Sequence, residues 1–118
     1  MPSIRESVDA LNARILSGDI LGAFEDLYAD DLVMTDAGQE PRVGKDVNRQ
    51  YEEAFVNGLT EFRGAEVKAV AVDEATGKAF IEWHFDFTHS AYGSQTYDQV
   101  AVQTWRDGKV AEERFYRI

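Results

Sequence analysis

The sequence predicts an α+β fold, a cone-shaped curved antiparallel β-sheet with three N-terminal helices packed over its concave face. Two observations lead there. The first half of the chain repeats its apolar residues at helical spacing, and from Glu61 the period changes to two. Helices set apart in this way from hairpin-linked strands pack on one side of the sheet. A strongly bent sheet beneath three helices encloses a hollow suited to a small molecule.

Ser3 and Glu6 make a capping-box pattern. Ile4, Val8, Leu11 and Ile15 then line one helical face, and Gly18 ends the helix. Asp19 is placed to cap a second helix through Leu21, Phe24, Leu27 and Tyr28. Residues 32–36 read as a short strand. Residues 37–43 read as a loop, because Gly38 and Pro41 break both periods. Gly44-Lys45-Asp46 opens a third helix with Val47, Tyr51, Ala54 and Phe55 on one face, and Asn57-Gly58 closes it.

A long strand follows from Phe62 through Val67, Val70 and Val72, with a turn at residues 73–77. Residues 79–88 alternate most clearly. Ile81, Trp83, Phe85 and Phe87 face one way, and Glu82, His84, Asp86 and Thr88 the other. After a loop at 90–95, residues 96–106 and 109–117 form a hairpin about Asp107-Gly108.

At 118 residues the chain is the size of one domain, taken as residues 1–118, and with 44% hydrophobic residues it can bury a core. Cysteine is absent, which excludes disulfides, thiolate metal sites and a cysteine nucleophile. A net charge of −10 disfavours nucleic acid and anionic membrane as partners. No apolar run approaches a membrane span, and Met-Pro-Ser-Ile-Arg-Glu lacks the apolar core of a leader, so the expectation is a cytoplasmic protein. Two histidines without a carboxylate at helical ligand spacing predict no metal site. Neither a glycine-rich phosphate loop nor a nucleophile elbow is present.

The stretches "GDILGAFEDLYADDLVMTD", "VGKD" after Pro41, "FTHSAYG" and "WRDGKVAEERFY" together resemble the nuclear transport factor 2-like superfamily. Within it they resemble the SnoaL-like and ketosteroid-isomerase-like proteins. The resemblance spans nearly the whole chain. It implies a cofactor-free pocket for an apolar small molecule and a homodimer formed through the outer sheet face. The scaffold serves isomerases, cyclases and dehydratases as well as non-catalytic binding or dimerisation modules, so resemblance alone leaves the activity open.

Asp36 stands where ketosteroid isomerases keep a general base, at the end of the first strand. A carboxylate at the rim of an apolar cavity is partly desolvated and so suited to proton abstraction. The ordinary alternative is a turn residue. The resemblance also implies a tyrosine on the first helix and an acid on the penultimate strand as oxyanion donors. The first helix has no tyrosine, and the acid's place falls near Ala101. Steroid isomerisation is therefore disfavoured, and Gln99 and Gln103, on the same face as Ala101, remain as donors.

Glu113 shares a strand face with Phe115 and Arg117, and the family register turns that face inward, making Glu113 a second acid beside Asp36. The ordinary alternative is a surface ion pair with an arginine. His89, following the inward register of Phe87, is the catalytic candidate of the two histidines, against a structural role at the loop edge. Tyr51, Phe55, Trp83, Phe85 and Phe87 are expected to wall the pocket or simply to fill the core.

Overall fold

The computed structural model describes residues 2–118, so only Met1 of the expected domain lies outside it. The elements run α1 (Ile4–Leu16), α2 (Ile20–Leu27), β1 (Tyr28–Asp36), β2 (Arg42–Val43), α3 (Lys45–Gly58), β3 (Leu59–Asp73), β4 (Lys78–His89), β5 (Gly93–Arg106) and β6 (Lys109–Arg117). The strands form one sheet in the order β2-β1-β6-β5-β4-β3. The sheet is mixed rather than wholly antiparallel. β1 lies parallel to β6, with Met34 opposite Glu113 and Asp36 opposite Phe115, while the other four pairings are antiparallel. A strand that enters from the helical layer has no hairpin to reverse it, so the chain can dock β1 in either sense.

Local chemistry explains most of the boundaries. The capping box of α1 is formed: the Ser3 hydroxyl accepts from the Glu6 amide at 3.1 Å and the Glu6 carboxylate from the Ser3 amide at 2.9 Å. Glu74, in the β3–β4 turn, accepts from the Ile4 and Arg5 amides at 2.9 and 3.0 Å, tying this helix end to the sheet. Asp19 does hold the N-cap position of α2, but its side chain makes no cap. It is drawn to Arg14 instead, at 2.7 Å. At the β5–β6 turn Asp107 and Gly108 both have positive φ, 54° and 78°, the geometry of a tight primed hairpin.

Two elements depart from the periodic reading. Tyr28 begins β1 instead of ending α2, and the register of β1 against β6 shifts between Tyr28 and Val33. The third helix is rotated from its expected face. Val47 is half-exposed and Ala54 exposed, while Lys45 and Asn48 are buried. Helix α3 thus turns a partly polar face inward.

Val8 and Leu11 of α1, Phe24 of α2, Leu32 and Met34 of β1, Ile81 of β4 and Val110 of β6 form one buried cluster with Trp83 and Trp105. Inward and outward residues alternate across the sheet as the pairing requires. Ile81 sits opposite Ala101, which sits opposite Phe115, all facing the helices. No helix among the described residues is long and apolar enough to cross a membrane.

Gly77 closes the β3–β4 turn with φ +75°, and a Cβ there would lie 2.8 Å from the carbonyl oxygen of Trp105. The Gly77 carbonyl also accepts from the Trp105 amide at 2.8 Å, so the turn cannot easily move away. Gly77→Ala is expected to destabilise the fold by ~1–3 kcal/mol in urea titration, through φ strain and backbone collision together.

Candidate functional site

Between the helices and the inner sheet face lies a cavity of about 960 Å³. Each layer contributes to its wall: Asn12 from α1, Phe24 from α2, Glu52 and Phe55 from α3, Trp83 and Phe85 from β4, and the inward residues of β5 and β6. Nine of the eleven residues expected at the site line it, namely Asp36, Tyr51, Phe55, Trp83, Phe85, Gln99, Gln103, Glu113 and Phe115.

Glu113 lies inward and is only 4% exposed. The surface ion pair considered as its ordinary alternative is absent. The Tyr28 hydroxyl donates to one carboxylate oxygen at 2.7 Å and the Gln103 amide to the other at 2.8 Å. The Trp105 indole N–H donates to the Gln103 oxygen at 2.9 Å, which fixes that amide with its nitrogen toward Glu113. Gln103 is therefore committed within the protein rather than open to an oxyanion. Burial raises the Glu113 pKa, an effect the two donated hydrogen bonds oppose and the Asp36 charge reinforces. Burial likewise drives the Tyr28 hydroxyl well above its ordinary value, with Glu113 adding to it.

Asp36 is not the isolated carboxylate that its place at the rim suggested. Arg42 donates to it at 2.8 Å, and the Tyr51 hydroxyl donates at 3.3 Å. Arg42 is brought there by the short strand β2, where Arg42 faces Met34, and the Asn48 amide oxygen holds its Nε at 3.1 Å. The guanidinium also lies 3.8 Å above the Tyr51 ring. Asp36, Arg42 and Tyr51 form one clamp at the cavity mouth.

Glu52 had no place in the sequence reading. It lies on α3, lines the cavity and makes no hydrogen bond or ion pair among the described residues. Burial pushes its pKa up to about 7, and the charges of Glu113 and Asp36 push the same way against that of Arg42. A signal was present. Asn48, Glu52 and Phe55 fall at i, i+4 and i+7, one inward stripe with an acid in its middle.

Two expectations are corrected. His89 is buried but does not line the cavity. Its Nδ1 accepts from the Ala91 amide at 3.0 Å, which leaves Nε2 to donate to the Ala54 carbonyl at 3.3 Å. Its ring stacks between Phe55 and Tyr92, with Gly58 pressed so close that a Cβ would fall 2.2 Å from it. With both nitrogens bound to backbone, His89 is a structural residue at the strand end. Phe87 is likewise core rather than wall, packed edge-on against Phe55 and Tyr97 at 5.4 and 5.9 Å. Among the described residues no cluster of three potential ligands could hold a metal ion.

Glu52 also makes stability depend on pH. Its carboxyl binds a proton more tightly folded, at about 7, than at the ordinary 4.5. Below pH 4.5 this contribution is fully present, and it is lost as pH rises toward 7, because the folded state then holds the extra proton. The gap corresponds to at most ~3 kcal/mol, less where cavity water screens the charge. Glu52→Gln is expected to flatten the fall in stability between pH 4.5 and 7, read from urea titrations across that window.

The family model of the SnoaL-like domain matches residues 4–113. No curated protein matches the chain. Among solved structures, a protein from Mesorhizobium loti named as a candidate SnoaL-like polyketide cyclase (the name also carries the words carbohydrate phosphatase) is 29% identical. That alignment covers 98% of this chain and 99% of the other, with a TM-score of 0.85. An NTF-2 like protein of unknown function from Burkholderia xenovorans is 22% identical over 97% and 81% of the two chains, with a TM-score of 0.75. A protein with a cystatin-like fold from Xanthomonas campestris is 13% identical over 98% and 91%, with a TM-score of 0.83. The likenesses below a quarter identity speak to the fold alone, and the family model spans most of the chain: the protein belongs to the SnoaL-like family.

Proposed function

We propose that the cavity turns over an apolar small molecule by acid–base chemistry without a cofactor: isomerisation, ring closure or loss of water from a carbonyl- or hydroxyl-bearing compound. The observation that carries this reading is the buried Glu113, oriented by Tyr28 and Gln103 at the wall of an aromatic cavity. Burial raises the pKa of that carboxyl, the direction that suits a group for proton exchange in a water-poor site. The name of the M. loti protein supports cyclisation among the options. The charge of the wall speaks against a phosphate ester, since Asp36, Glu40, Glu52 and Glu113 outnumber Arg42 and Arg117 there. A binding module on the same scaffold is the second reading; it would account for the cavity but not for acids arranged around it.

The rings favour a flat apolar ligand. Trp83 and Phe85 stack at 5.2 Å, and Phe55 and Tyr97 also line the cavity. The bicyclic ketone 2-tetralone is a probe of that shape, with acidic C–H bonds beside its carbonyl. In D₂O the protein is expected to accelerate deuterium exchange at the benzylic carbon next to the carbonyl, followed by proton NMR. Exchange no faster than with free acetate at the same carboxylate concentration rejects the enzymatic reading.

We further propose a homodimer in the cytoplasm, joined through the outer face of the sheet. The polar stripe Glu82, His84, Asp86 and Thr88 lies on that face, with His84 bound to Asp98 at 2.7 Å and Arg63 bridging Asp86 and Thr88. Beside it Phe80, Val100, Val102 and Tyr116 are outward neighbours across three strands, and Phe80 and Tyr116 are exposed. An apolar patch so bordered is suited to a partner copy. Sedimentation at micromolar concentration is expected to give a dimer, and Phe80→Glu with Tyr116→Glu a monomer.

A further inference from the structure

Each acid at the cavity wall has a different degree of freedom. Asp36 is held by Arg42 and Tyr51, both through the same oxygen, Oδ2. Both oxygens of Glu113 accept hydrogen bonds, from Tyr28 and Gln103. Glu40 is exposed at the mouth. Glu52 alone of the four combines a position inside the cavity with oxygens that no protein donor engages. A base that abstracts a proton from carbon must bring a bare lone pair to the C–H bond; Glu113 has both oxygens occupied, and the one bare oxygen of Asp36 belongs to a carboxylate ion-paired with Arg42 at the mouth.

We propose that Glu52, rather than Asp36, is the proton-accepting residue of this site, and that its substrates are carbon acids, apolar compounds with a C–H bond beside a carbonyl. This rests on the reading of the cavity as a site of proton transfer. In the step, a Glu52 carboxylate oxygen takes the proton and the C–H electron pair moves into a new C=C bond. The carbonyl π pair moves to oxygen, giving an enolate. Return of the proton from Glu52 to that carbon restores the ketone, so no oxidant or co-reactant is needed. Asn12 also lines the cavity, buried, with an amide oxygen that has no partner.

The surroundings suit the role. The charged and titratable groups acting on Glu52 come from every neighbouring side: Glu113 on β6, Asp36 and Tyr28 on β1, and Arg42 on β2. Together with burial they hold its carboxyl at about 7, where ionised and protonated forms coexist at neutral pH. That balance lets one group both take and return a proton.

The test is the deuterium exchange of 2-tetralone, compared across the parent protein, Glu52→Gln and Asp36→Asn. The expected result is an exchange rate that rises with pH through an inflection near 7 in the parent. In Glu52→Gln the rate is expected to drop by about 10²-fold or more and the inflection to vanish, whereas Asp36→Asn loses much less. Quenching of tryptophan fluorescence by 2-tetralone, with Trp83 in the wall, checks that the variants keep a folded cavity. Should Glu52→Gln keep the parent's rate while Asp36→Asn loses it, the base is Asp36 and this assignment fails while the enzymatic reading stands. Should the parent itself not accelerate exchange, both fail.

Discussion

One buried carboxyl organises this molecule. Glu113 on β6 faces the helical layer, where an unsatisfied carboxyl would cost several kcal/mol. Its two partners come from different parts of the chain, Tyr28 from the junction of α2 and β1 and Gln103 from the facing residue of β5. A slip of one residue between β5 and β6 would turn Glu113 to the outer face and bring Arg114 inward. Tyr28 would then lose its partner as well. The hydrogen bonds therefore fix the β5–β6 register and the docking of the helix–strand junction together. The Trp105 indole makes the arrangement stricter by fixing which end of the Gln103 amide meets the carboxylate.

The same constraint explains what could be read from the sequence. The alternation of residues 79–88 gave β4 nearly to its ends, because each odd residue is apolar and buried or half-buried and the even ones, all polar except Phe80, point outward. Parity counted from Asp107-Gly108 grouped Gln99 and Gln103 with Ala101 and grouped Glu113 with Phe115, the family resemblance turned these faces inward, and all four residues line the cavity. Local pattern failed where the interaction is non-local. Tyr28 fits the apolar stripe of α2, and its long-range partners, Val110 across the strand pair and Glu113 at its hydroxyl 85 positions away, place it in β1. Two residues carry no period, so β2 read as loop and Arg42 went unseen beside Asp36. Glu52 was missed for the opposite reason. A charged residue on a helix is ordinarily assigned to solvent, and here the helix face that turns inward is the polar one.

The acids illustrate how environment separates chemically similar groups. Asp36 has a guanidinium at hydrogen-bond distance, and Glu113 has two neutral donors. Glu52 has none, and its neighbours are predominantly like charges. Three carboxyl groups around one cavity thus meet a cation, a pair of dipoles and an empty space respectively. Such divergence distinguishes a site from a collection of surface charges, because each group is left with a different freedom to meet a ligand.

A cavity with an unpartnered acid and an orphaned amide lowers stability, so the rest of the fold must offset it. The compensation is spatially divided. Val8, Leu11, Leu32, Ile81 and Val110 are fully buried in a core where α1 meets the sheet. Burial of each contributes roughly 1.5–3 kcal/mol before entropy. At the other end Phe55, Phe87, His89 and Tyr92 pack ring against ring, with Gly58 close beside the His89 ring, and His89 secures both the α3 terminus and the loop after β4 through backbone hydrogen bonds. The histidine is therefore conformational rather than chemical. By anchoring the end of α3, it holds the helix that carries Glu52 and Phe55 over the cavity. Two packed ends with a hollow between them let the sheet stay bent around an open space without collapsing into it.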